Sequence, residues 1–212
     1  MRPPFVLPDD APFIAVFNRT APKGVVIGTD LMPAPFLGSP RAPVVILALN
    51  PGWSPGDDAV NRDPAFRRLV RDNLHHRPSA RPFLPLDGDP NRPGARWWRR
   101  NVKGLIAEVG EDRVAQGLCC LEYFPYHSRS FGHAALRLPS QHYTIALLRQ
   151  AMARRAVIVV TRGARFWTGA VPELANYRQL VRTSNPRSAS ISPKNCGDGF
   201  KKVLSRLYRA AI

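Results

Sequence analysis

VVILALNPGWSPG, residues 44–56, governs how the rest of the chain is read, because an unbroken apolar run stops there at polar and turn residues. Six residues, from Val44 to Leu49, are too few for a buried helix, and the β-branching of Val44, Val45 and Ile46 suits a strand buried on both faces. Asn50 stands where that strand ends. Pro51, Gly52, Pro55 and Gly56 force a turn directly afterwards, leaving the backbone amides of Gly52 and Trp53 to face outward from the sheet edge. Ligands of open parallel sheets bind just beyond the carboxyl ends of strands. Asn50 therefore has two readings: it closes a turn ahead of Pro51, or its amide positions a water or a base edge.

Outward from this stretch, apolar runs and helical spacing alternate. Asp63 followed by Pro64 and AFRRLVRDNL supplies an N-cap, a proline at the first helical position and an apolar stripe of Phe66, Leu69, Val70 and Leu74. Further helices are predicted over 95–108, stopped by Gly110, over 139–155, around 164–167 and over 198–210. Strands are predicted at 118–121, at 157–160 and around Leu180 and Val181. Residues 1–42 are proline-rich and read as an extended arm, with 25–28 as a short edge strand. Residues 75–94 read as a long loop, a length usually functional or mobile. The expectation is one domain over 1–212. It is an α/β chain folded as a three-layer α/β/α sandwich around a central, mainly parallel four-stranded sheet. All four strand ends would share one edge, collecting Asn50, residues 122–128, Thr161 and Asn185.

Thirty-one lysines and arginines stand against fifteen acidic residues, a formal charge of +16. Such an excess implies an anionic partner, nucleic acid before a membrane surface, or else a solvated basic face. Arginines recur beside aromatics in Phe66-Arg67-Arg68 and in Arg96-Trp97-Trp98-Arg99-Arg100, which favours nucleic acid. The three cysteines, Cys119, Cys120 and Cys196, match neither a disulfide framework nor a metal spacing and point to a cytoplasmic location. No signal peptide and no run of eighteen apolar residues is present. His75-His76 lacks metal spacing, and no P-loop, Gly-x-Gly-x-x-Gly or Gly-x-Ser-x-Gly segment occurs. A monomer without cofactor or metal, and without membrane attachment, is expected.

ALNPGWSPG after the first strand and SNPRSASIS after the last resemble, as an ordered pair, the two signature segments of the uracil-DNA glycosylase superfamily. The first is similar to the Asn-Pro-Gly form of its mismatch-specific and single-strand-selective branches, and VIVVTRGA at 157–164 resembles its third-strand segment. Islands of likeness span roughly 44–192. Two departures stand out: Arg187 replaces the serine expected after Asn-Pro, and Glu122 stands where many members place a base-reading Asn. Ala189 lies near where several branches carry a bulky wedge.

The resemblance implies a monofunctional DNA glycosylase that flips a deaminated or damaged base out of DNA and hydrolyses its N-glycosidic bond. Asn50 would position the water and Asn185 would stabilise the departing base. Gly52, Trp53, Glu122, Tyr123 and His127 would bind that base, while Arg99, Arg100, Arg187 and Ser188 would hold DNA. The residue chemistry agrees, since aimed donors can supply most of the catalysis when charge develops on sugar and base. Other roles stay open: Phe66 and Phe124 in the core, and His127 as a structural group. A non-catalytic nucleic-acid-binding protein on the same fold is the main alternative. A hydrolase of small nucleosides or bases is a more remote one.

Overall fold

Five strands build one mixed sheet in the computed structural model, which describes residues 3–209. They are β1 (Phe36–Gly38), β2 (Val44–Ala48), β3 (Leu118–Glu122), β4 (Val157–Val160) and β5 (Leu180–Arg182), in the order β1-β3-β2-β4-β5. Strands β3, β2, β4 and β5 are mutually parallel, and β1 lies antiparallel to β3 with Leu37 opposite Cys120. The predicted four-stranded sheet is thus corrected to five. Three residues carry no readable periodicity, and β1 exists because tertiary partners hold it. Asn73 accepts from Gly38 N and donates to Phe36 O, each at 3.0 Å, covering the free edge. The edge strand predicted at 25–28 reduces to one bridge, Gly28 N donating to His127 O at 2.8 Å.

All five residues of β2 are buried, and successive side chains feed different cores. Val45 and Leu47 pack with Ile14, Leu148 and Trp167, whereas Val44, Ile46 and Ala48 pack with Val102, Leu105 and Val203. Helices α1 (Ala11–Thr20), α6 (Gln141–Ala153) and α7 (Ala164–Ala170) supply the first set. Helices α4 (Pro93–Val109), α5 (Glu111–Gly117) and α9 (Asp198–Arg209) supply the second. The result is an α/β arrangement with helices on both sheet faces. Short α2 (Asp57–Arg62), then α3 (Pro64–Leu74), follow the β2 turn, and four-residue α8 (Pro193–Cys196) precedes α9. Asp63 caps α3 as expected, accepting from Ala65 N at 2.9 Å. Ala210, where the last predicted helix ends, lies outside the described residues.

The N-terminal arm is not extended throughout, because α1 forms inside it. Asp10, fully buried ahead of that helix, accepts from Tyr126 Oη at 2.7 Å and from Ser140 N at 3.1 Å. Two neutral donors on one carboxylate fix the arm to the β3 and α6 connections. Residues 75–94 are likewise anchored: Phe83, Leu84 and Leu86 are buried, and Phe83 meets Trp98 edge to face at 5.1 Å. No helix among the described residues is long and apolar enough to cross a membrane.

Candidate functional site

A cavity of about 630 Å³ opens beyond the carboxyl ends of β2, β3 and β4. That volume lies in the range of small-molecule and cofactor sites. Its place follows from topology. From β2 the chain moves outward to β3 and then returns across β2 to β4, so connections diverge at the β2–β4 crevice, where open α/β sheets bind ligands. Asn50 follows β2, Glu122 ends β3, and Thr161 and Arg162 follow β4; all four line the cavity.

The Asn50 side chain is fixed by its own turn and by a second loop. Its Nδ2 donates to Pro51 O at 3.0 Å and to Ser128 Oγ at 2.9 Å. The Pro51 carbonyl can only accept, so the amide nitrogen must face it and the orientation is settled chemically. Ser128, almost wholly buried, passes its hydroxyl proton to Ser130 O at 3.0 Å. The loops themselves are joined, with Ser128 N donating to Pro51 O at 3.3 Å. Both Asn50 amide hydrogens are thereby used, and no protein donor meets its Oδ1 among the described residues.

His127 completes this junction. Its Nδ1 lies 2.7 Å from Gly52 O and its Nε2 lies 3.2 Å from Met32 O. Burial lowers its pKa, against the raising influence of the Gly52 carbonyl, Asp57 and the Met32 carbonyl. The neutral ring has one N–H, so it serves one of these carbonyls at a time and acts as a brace for the Gly52 turn.

Among the described residues, Glu122 is the one carboxylate with a buried oxygen that lacks a hydrogen-bond partner. It is 4% exposed, its Oε1 accepts only from the Cys120 thiol at 3.7 Å, and its Oε2 has no partner. Burial pushes its pKa up to about 8, with the Cys120 thiol and the Arg162 guanidinium pulling the other way. The acid is therefore mostly protonated at neutral pH.

Around the opening the charge is positive. Arg92, Arg96, Arg100, Arg129 and Arg162 line the cavity against Asp57 and Glu122. Asp57 is committed to Ser54, whose N and Oγ donate to Oδ2 at 2.6 and 2.7 Å. Trp53 offers an aromatic wall, its Nε1 donating to Asp58 Oδ1 at 3.0 Å and the Arg129 guanidinium lying 5.4 Å from its ring. Gly28 is required beneath it, since a Cβ there would meet Trp53 Cζ3 at 2.9 Å. Gly52 lines the cavity with open space where a Cβ would stand.

Other residues named from the sequence lie elsewhere. Asn185 is exposed and outside the cavity lining; its Oδ1 accepts from Arg187 N at 2.9 Å, closing its own turn. Arg187 is exposed and Ser188 bonds within the same loop, with Ser190 N donating to its Oγ at 3.3 Å. Asn195 organises that loop, accepting from Asn185 N at 2.9 Å and donating to Ser190 O at 2.7 Å. Tyr123 is buried among Phe124, Phe166 and Trp167 and does not reach the cavity. Arg99 forms a two-pronged pair with Glu111, which Arg81 also binds, so its charge is spent inside the protein. Arg100, one residue on, is exposed at the cavity.

Arg96, part of the arginine–aromatic run read as favouring nucleic acid, joins the cavity, and so does Arg162, which no expectation named. The first sits in the RWWRR segment and the second directly follows a buried strand, so both carried a sequence signal. Arg92 and Arg129 come from loops whose course no local pattern fixes. No group of three or more His, Cys, Asp or Glu side chains among the described residues is placed to hold a metal ion. No family model, curated protein or solved structure matches the chain.

Proposed function

We propose that the chain is a monofunctional DNA glycosylase, releasing a deaminated or otherwise damaged base that has been flipped out of the strand into the cavity. The observation that carries this reading is the state of Asn50. Its amide is held by two hydrogen bonds, and its carbonyl oxygen is left to accept from a water at the strand ends. An amide is too weak a base to remove a proton outright, and the chemistry does not require it to. As the N-glycosidic bond breaks, its electron pair goes to the base and positive charge grows on C1′. A water held by Asn50 Oδ1 then bonds to C1′, and its proton passes to the departing base or to bulk water. Positioning of this kind accounts for several orders of magnitude in rate.

The arginine rim supports the same reading from the substrate side. Arg96, Arg100, Arg129 and Arg162 are exposed where phosphates flanking a flipped nucleotide would pass. Their positive potential also favours the negative charge that develops on the leaving base. Trp53 supplies a face for stacking.

A second reading, a nucleic-acid-binding protein without catalysis, is favoured by one observation: Asn185 adds no donor to the cavity. The two readings separate experimentally. Oligonucleotides carrying a single uracil, hypoxanthine, xanthine or oxidised base are incubated with the protein and treated with alkali. Strand cleavage at the lesion that disappears in Asn50→Ala supports the glycosylase; DNA binding without cleavage on any substrate supports the binder.

A further inference from the structure

We propose that Glu122 reads the flipped base, pairing its carboxyl with a base edge that presents a hydrogen-bond donor beside an acceptor, as the lactam of uracil or hypoxanthine does. This rests on the base-flipping reading of the cavity. The carboxyl ends β3 on the same sheet face as Cys120 and lines the cavity opposite Ala48 of β2, with Thr161 beyond Ala48 after β4. Every nearby donor is already spent. Asn50 gives its hydrogens to Pro51 and Ser128, His127 serves backbone carbonyls, and Thr161 Oγ1 donates to Leu47 O at 2.9 Å. Arg162 lies beyond ion-pair distance, for no salt bridge joins it to Glu122. One oxygen is left without any partner while nine-tenths of the side chain is shielded from water. A buried carboxyl in that state needs a hydrogen-bond partner, and a base edge entering the cavity supplies one.

The protonation state selects the ligand. Burial holds the acid neutral at neutral pH, and a neutral carboxyl offers one O–H donor next to one carbonyl acceptor. That pair is complementary to an adjacent C=O and N–H in one ring. Ionised, the same group would accept only and would select an edge with two donors. The groups that bear on its titration are Cys120 on its own strand and Arg162 after β4, while His127, Asp57, Arg92, Arg96, Arg100 and Arg129 share the cavity lining. Cys120 is itself pushed well above the ordinary thiol range by burial and stays a thiol; His127 is pushed down and stays neutral.

The experiment reads base recognition apart from catalysis. Affinity is compared between an oligonucleotide bearing a 2′-fluorinated deoxyuridine, which resists cleavage, and one bearing a baseless tetrahydrofuran at the same place. Wild type is expected to prefer the base by about tenfold or more, Glu122→Gln to keep that preference, and Glu122→Ala to lose it. Between pH 7 and 9 the wild-type preference should fall, while that of Glu122→Gln, an amide with the same donor and acceptor, stays level. Thermal unfolding of both variants establishes that they are folded. An unchanged preference in Glu122→Ala overturns the proposal, as does a wild-type preference that grows with pH. Base preference without excision from any of the uracil, hypoxanthine, xanthine or oxidised-base oligonucleotides would sink the glycosylase reading and leave this one standing.

Discussion

Asn50 and Ser128, 78 residues apart in sequence, are joined by a 2.9 Å hydrogen bond that ties the loop after β2 to the loop after β3. Because Ser128 passes its own proton to Ser130 O, it meets Asn50 with a lone pair and holds the amide hydrogens inward. Ser128→Ala should therefore let the amide rotate, lowering single-turnover excision by about tenfold while DNA affinity changes little. An equal loss in affinity and rate would mean that Ser128 shapes the binding surface instead.

Salt dependence tests the rim. Each phosphate neutralised on duplex DNA adds about 0.9 to the slope of log affinity against log salt. Arg100→Ala and Arg162→Ala should each flatten that slope. Arg99→Ala should leave it unchanged and lower thermal stability, because its guanidinium is paired with Glu111. Matching effects at Arg99 and Arg100 would contradict this division of the two neighbours.

Sequence and structure agree most closely where one segment determines its own fate. The VVILA and VIVV runs are strands because apolar side chains on both faces leave them no solvent-exposed alternative, and Asp63-Pro64 starts α3 through its own capping bond. Phe36–Gly38 is a strand only because β3 and Asn73 hold it, which three residues cannot announce. Helix α1 is masked by flanking prolines, although Pro12 sits at a position that tolerates it. The site divides in the same manner. Asn50, Gly52, Trp53, Glu122, His127 and Arg100 line the cavity because they follow strand ends or face them. Asn185 follows a strand too, yet its turn is closed locally and Asn195 draws its loop aside.

Two buried groups give stability opposite dependences on pH. Glu122 binds its proton more tightly folded than unfolded, so its contribution is fully present below about pH 4.5 and is lost as pH rises toward about 8. His133, buried among Phe17, Phe124 and Phe131 with neither ring nitrogen bonded, has its pKa pushed down to about 4 by burial. It must stay neutral when folded, so stability falls as pH drops from about 6.5 toward 4. Glu122→Gln should raise the melting temperature at pH 8 by about 2–4 °C or more and leave it level at pH 4. His133→Phe should flatten the acid limb. Parallel melting curves for wild type and either variant across this range would contradict the assignment.

Gly28 sits under the Trp53 ring with no room for a methyl group. Gly28→Ala should tilt the indole, change its fluorescence and weaken binding of base-bearing DNA by about three- to tenfold, a part of the ~1–3 kcal/mol that stacking on one aromatic carries. Unchanged affinity with altered fluorescence would remove Trp53 from the base-binding wall.

The most direct measurement is chromatographic detection of free base after incubating wild type and Asn50→Ala with DNA containing a single uracil or hypoxanthine. Wild type should release one equivalent of free base and leave a baseless strand. Asn50→Ala should release it at least about 10²-fold more slowly at similar DNA affinity. Release at the same rate from both proteins, or none from wild type bound to either DNA, would contradict Asn50 as the group that positions the attacking water.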